Sequence, residues 1–267
     1  MPSLLAEGLG IPESPRWHDG RLWLCNWTAG QIVAIDDNGN VEVMADVATT
    51  IPFSIDWLPD GRLLVVSGQE ALLLRQEPDG SLVTHADLRP FGDVFNEIVV
   101  DSRGNAFVNG ASIVHVTPNG DVREVARDIE FGNGMALTPD ERTLLVAESH
   151  GMRITAFDVT AQGSLAQRRV WAGLGGDNPD GICVDADGAV WYASVPGRHC
   201  VRVREGGEVA QVVDVDRGCF ACMLGGADGR SLYIAAAQWH GMDRMFDAPP
   251  EGVVFVAQVA VPHTGRP

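Results

Sequence analysis

Ile55-Asp56-Trp57-Leu58-Pro59-Asp60-Gly61-Arg62-Leu63-Leu64-Val65 is the stretch on which the reading of the fold turns. Two apolar runs flank an Asp-Gly pair, and Gly accepts the positive φ of a tight turn, so the segment reads as an antiparallel hairpin. The pattern returns in 16–24, 98–108, 135–146, 182–192 and 224–234, with the turn position at residues 20, 61, 104, 141, 188 and 229. Most units add a second hairpin turn, such as Asp37-Asn38-Gly39-Asn40, Pro78-Asp79-Gly80-Ser81 or Pro118-Asn119-Gly120-Asp121. Four strands per repeat of about 40 residues, six times over, predict an all-β, six-bladed β-propeller with four-stranded blades. Residues 1–267 are expected to form one such domain, with the segment near Leu4-Leu5 supplying the outer strand of the last blade and closing the ring.

Composition narrows the function. A formal net charge of −17 opposes binding to nucleic acid or to an anionic membrane, both of which call for basic patches. No apolar run is long enough to span a bilayer, and the start, Met1-Pro2-Ser3-Leu4-Leu5-Ala6-Glu7, lacks the basic opening and apolar stretch of a secretion signal. A soluble cytoplasmic protein acting on a small molecule is the expectation; the sequence carries no signal for oligomeric state. The five cysteines, Cys25, Cys183, Cys200, Cys219 and Cys222, are odd in number and irregular in spacing, which does not suggest a disulfide framework. Cys219-Phe220-Ala221-Cys222 is formally a CxxC, but residues three apart on a strand point to opposite faces, so the two thiols are expected to diverge as packing residues.

In a propeller the innermost strand of each blade begins near the central axis, and residues at its start converge. Seven or eight positions before each turn stand Glu13 in blade 1, Asn96-Glu97 in blade 3, Asn133 in blade 4 and Asp180 in blade 5. Blades 2 and 6 offer Phe53-Ser54 and Ala221-Cys222 there. Taken singly, each polar residue reads as a strand-end cap. Four in one register form a hard, all-oxygen donor set at one end of the channel, suited to one divalent cation: Ca²⁺ first, with Zn²⁺, Mn²⁺, Mg²⁺ or Fe²⁺ as alternatives.

These segments resemble the gluconolactonase, regucalcin (senescence marker protein) and luciferin-regenerating enzyme family, and the resemblance spans nearly the whole chain. Gly10-Ile11-Pro12-Glu13-Ser14-Pro15-Arg16-Trp17 is similar to the family's opening motif, which implies that Glu13 is a metal ligand. Phe131-Gly132-Asn133-Gly134-Met135 implies Asn133 as the second ligand, and Asn178-Pro179-Asp180-Gly181-Ile182 implies Asp180 as the third ligand and general base. Phe95-Asn96-Glu97-Ile98 resembles the segment whose Asn lies beside metal and substrate. Family members that act on sugar lactones carry Arg two residues before this Asn and Asp directly after it; here those positions hold Val94 and Glu97. Val donates no hydrogen bond to a sugar hydroxyl, so a smaller or less polar lactone is expected.

If the inner strand runs away from the metal end, the second strand returns to it, and its outgoing loop borders the substrate. On that topology Trp27, Asn109, Glu148, His150 and Trp239 join Asn96 and Glu97 as candidate substrate contacts. The expected reaction is opening of a lactone by water, with the metal polarising the carbonyl and Asp180 taking the proton. No GxSxG elbow, HExxH or phosphate loop is present. The alternatives are another metal-dependent reaction in the same pocket, such as phosphotriester or phosphofluoridate hydrolysis or a non-hydrolytic step, and a non-enzymatic ligand-binding propeller.

Overall fold

The structure is a computed structural model that describes residues 2–241, 244 and 251–264. Among them, 24 strands form six antiparallel sheets of four. The inner strands are Pro12–His18, Phe53–Trp57, Phe95–Val100, Gly132–Leu137, Ile182–Val184 and Gly218–Gly225, for blades 1 to 6 in chain order. Blades 1 to 5 each run inner to outer along the chain, and Ser3–Leu9 adds to Gly252–Gln258 as the outer strand of blade 6. The ring therefore closes as the sequence predicts, with an early strand pairing with a late one.

The turns explain why the repeat is readable. Gly20, Gly61, Gly104, Gly188 and Gly229 have φ of +72° to +85°, a region other residues enter only under strain. Blade 4 places Glu141 there at φ +56°, and its carboxylate accepts the N–H and hydroxyl of Ser102 in blade 3, at 2.8 and 2.7 Å. In four of the five Gly turns an Asp one or three residues before the Gly acts locally: Asp60, Asp101, Asp185 and Asp228 each accept a backbone N–H two residues on.

Each sheet is apolar on both faces, so the core lies between blades. Leu64, Val66 and Leu73 of blade 2 pack on Ile98, Val108 and Val114 of blade 3, and equivalent layers follow around the ring. The outer strands are the wet ones; in Val41–Asp46 every residue is at least partly exposed. No helix among the described residues is long and apolar enough to cross a membrane.

The expectation for Cys219 and Cys222 needs correction. The pairing of Gly218–Gly225 with Ser231–Ala237 shifts between Cys219 and Ala221, so one extra residue is accommodated and the face alternation reverses. Both thiols then enter the same buried layer as Cys183 and Cys200, and both lie against Cys200. All five cysteines are buried and free, as packing residues.

Candidate active site

The oxygen-bearing residues near the axis sit on irregularities of their strands. Ladder register shifts between Glu13 and Arg16 in blade 1, between Phe95 and Ile98 in blade 3, and between Gly132 and Met135 in blade 4. A bulge re-aims side chains that regular alternation would send into the blade faces. Blade 2, whose inner strand pairs without a shift, places the Ser54 hydroxyl at the aligned position, buried and without a hydrogen-bond partner among the described residues, but no carboxylate or carboxamide there. In blade 5, Asp180 precedes the short strand Ile182–Val184, and its N–H is held by Ala193 O at 2.8 Å.

The structure brings Glu13, Asn96, Glu97, Asn133 and Asp180 together. Asn96 Nδ2 donates to Asn133 Oδ1 at 3.2 Å and to Gly132 O at 3.3 Å, joining blades 3 and 4. The Gly134 N–H donates to Asp180 O at 3.2 Å, joining blades 4 and 5. Glu13 is buried, and its Oε2 accepts the Ser14 N–H at 3.0 Å. Asp180 Oδ1 is buried with no hydrogen-bond partner among the described residues. Burial raises both carboxyls well above the usual carboxylate range; Asp180 and then Glu97 raise Glu13 further, and Glu97 raises Asp180, while the Asn133 amide and Gly181 N–H favour its charged form.

That electrostatic deficit is what a cation removes. Two carboxylates with an unpartnered buried oxygen, flanked by carboxamides, fit a hard divalent ion held by oxygen. Among the described residues no group of three or more His, Cys, Asp or Glu side chains is arranged to hold a metal, so an ion here depends on amide oxygens beside Glu13 and Asp180.

The remaining expected contacts separate into three groups. Trp27 and Trp239 meet at the mouth in one apolar cluster with Ile11, Phe220 and Val195; Trp27 Nε1 donates to Phe53 O at 2.6 Å, and Trp239 stands edge-on to Phe220. His150 is exposed across the mouth and stacks on Phe131, ring centroids 4.5 Å apart. Asn109, fully buried, spends its amide on backbone: Oδ1 accepts the Glu97 N–H at 3.1 Å and Nδ2 donates to Asn133 O at 2.6 Å. It is a strut that sets the two bulges rather than a substrate contact. Glu148 turns away altogether. Its carboxylate accepts Arg153 at 2.9 Å, Arg168 at 3.2 Å, the Glu130 N–H at 2.8 Å and the Thr155 hydroxyl, and has nothing left for a ligand.

Two residues escaped the sequence reading. Phe131 holds φ +60°, rare for a bulky side chain, and stands half exposed at the mouth. Arg16 is buried on the inner strand of blade 1 and pairs with Glu97 of blade 3 at 3.0 Å. An arginine amid core residues was the available signal for it.

A family model, the SMP-30/gluconolactonase/LRE-like region, matches residues 11–238, a span that takes in all six inner strands. The chain belongs to this family. Among SMP-30/gluconolactonase relatives, regucalcin of Gallus gallus is 26% identical over 96% of this chain and 94% of its own. The 6-deoxy-6-sulfogluconolactonase of Pseudomonas putida is 25% identical over 77% of this chain and 72% of its own. Of solved structures, a luciferin-regenerating enzyme superposes with a TM-score of 0.84 at 18% identity, over 98% of this chain and 97% of that one, which shows the shared propeller.

Proposed function

We propose that this protein is a metal-dependent lactonase acting on a small, weakly polar lactone. The carrying observation is the pair Glu13, buried, and Asp180, half-buried, two neighbouring carboxylates with no protein partner on the sealed Asp180 Oδ1 among the described residues. Family membership and the lactonase named among its relatives support hydrolysis of a cyclic ester.

Glu13, Asn133 and Asp180 would hold the ion, Ca²⁺ being the first choice for an all-oxygen set. A bound divalent cation supplies Lewis-acid polarisation of the ester carbonyl. Asp180 is the carboxylate that would accept the proton of the attacking water. Asn96, held against Asn133, orients the ester beside it. Trp27 and Trp239 on one side of the mouth, and Phe131 with Val94 on the other, offer apolar surface to the substrate body and limit water around it.

The test is kcat/KM on aliphatic γ- and δ-lactones against aldonolactones, each assayed with Ca²⁺, Mn²⁺ and Zn²⁺. Aliphatic lactones should be the better substrates, and Val94→Arg should shift the ratio at least about tenfold towards aldonolactones, the scale of one polar contact in a binding pocket. A preference for gluconolactone in the unmodified protein would overturn the substrate class. Hydrolysis of no lactone with any metal would overturn the activity.

A further inference from the structure

Beneath the carboxylate pair, the channel is crossed by an ion pair with no part in the chemistry described above. Arg16 Nη2 donates to Glu97 Oε1 at 3.0 Å and to Ile98 O at 2.7 Å, while Nη1 donates to Pro15 O at 2.9 Å. The two side chains are 5% and 10% exposed. Glu97 Oε1 also accepts the Ser14 hydroxyl at 3.2 Å and the Ile98 N–H at 2.8 Å, so three donors fix one oxygen. Ser14, at φ +49°, serves both acids: its N–H binds Glu13 and its hydroxyl binds Glu97. A single residue therefore separates Glu97 from a candidate metal ligand.

Arg16 also lines a cavity of about 280 Å³ towards the other end of the channel, with Trp17, His18, Asp56 and Trp57. Asp56 lies on that far side, where its oxygens accept the N–H groups of Trp57 and Val100. Arg16 is thus the floor of the active site. Of the three acids near the axis, Glu13, Glu97 and Asp180, it forms an ion pair with Glu97, and its charge also favours the ionised form of Glu13.

We propose that Arg16 is a positioning residue that neutralises Glu97 and holds it off the cation, so that the ion is bound by two carboxylates and retains coordination positions for water and substrate. The proposal rests on the metal-dependent reading above. A third free carboxylate at this depth would strengthen the field on a divalent ion and compete for its open positions. The reverse follows for the guanidinium: with Glu97 neutral, its positive charge, countered only by Asp56 on the far side, would oppose the cation.

The experiment is calorimetric titration of CaCl₂ into metal-free full-length protein, comparing the unmodified chain with Arg16→Met, Glu97→Gln and the double variant. Glu97→Gln should weaken Ca²⁺ about tenfold or more, Arg16→Met should tighten it about tenfold or more, and the double variant should return to within about threefold, as expected for opposite charges at short range. A pair that only holds the fold would lower the melting temperature without moving Kd in opposite directions. Equal-sign or absent shifts overturn the proposal. Should Arg16→Met not fold, Glu97→Gln and the double variant still decide it: weakening restored by the second substitution supports the role, and an unchanged Kd in Glu97→Gln overturns it. If the unmodified protein binds no divalent ion, both this proposal and the metal-dependent reading fall; normal binding that is indifferent to Glu97 removes only the role of Arg16.

Discussion

Glu148 and Asp180 both hold buried carboxylate oxygens at the mouth-facing ends of neighbouring blades, and their surroundings are opposite. Glu148 is met by Arg153, Arg168, the Thr155 hydroxyl and a backbone N–H; burial alone would raise its carboxyl, but Arg153, the Thr155 hydroxyl and the Glu130 N–H bring it down to about 2. Asp180 has an oxygen that no donor among the described residues reaches, and burial with Glu97 nearby pushes its carboxyl up. A buried acid saturated by arginines is part of the scaffold. A buried acid left without compensation is a site that a cation or a proton must complete.

The largest expected effect separates the two by chemistry. Asp180→Asn keeps size and a carbonyl oxygen but removes the base, and should lower kcat by about 10²- to 10⁴-fold at saturating metal, with the unfolding midpoint little changed. A near-normal rate under saturating metal would make Asp180 a ligand only.

Glu148→Ala should do the converse. Removing one partner of a buried ion pair costs about 3–5 kcal/mol, and the lower figure is expected here because Arg153 and Arg168 reach water and can turn outwards. Chemical denaturation would report that loss, while the affinity for Ca²⁺ should stay within a factor of about three, as expected for independent sites. A large drop in metal affinity would mean that Glu148 belongs to the site after all.

The smallest effect is a pH slope. The carboxyl of Glu148 is lowered from its ordinary 4.5 to about 2, so between these values the folded state binds fewer protons than the unfolded chain. Its contribution is complete above about 4.5 and drains away as pH falls towards 2. Stability measured over that window should fall less steeply in Glu148→Ala than in the unmodified protein. Parallel slopes would show that the arginines do not stabilise the ionised form.

Legibility of these features in the sequence follows the range of the forces involved. The turns at Gly61 and Gly188 could be read because a positive φ is a demand of one residue on itself. The common register of Glu13, Asn133 and Asp180 could be counted, but the bulges that aim Glu13 and Asn133 inwards arise from pairing with the second strand and leave no local mark. The same holds at Cys219 and Cys222, where a register shift with no local mark in the sequence reverses the alternation and brings both thiols to one face. Glu148 was misplaced because its two arginines stand on the third and outer strands of its blade, and which residues face one another there is fixed by ladder register. Arg16 and Glu97 meet across two blades, beyond anything a hairpin pattern reports.

The most direct test of the central claim is calcium binding to metal-free protein, measured by calorimetry for the unmodified chain, the Glu13→Ala/Asp180→Ala double variant and Glu148→Ala. One Ca²⁺ per chain is predicted for the unmodified protein and for Glu148→Ala, with binding abolished in the double variant, because both uncompensated carboxylates are then gone. Equal binding by the double variant and the unmodified protein would contradict the assignment of the axis as the metal centre.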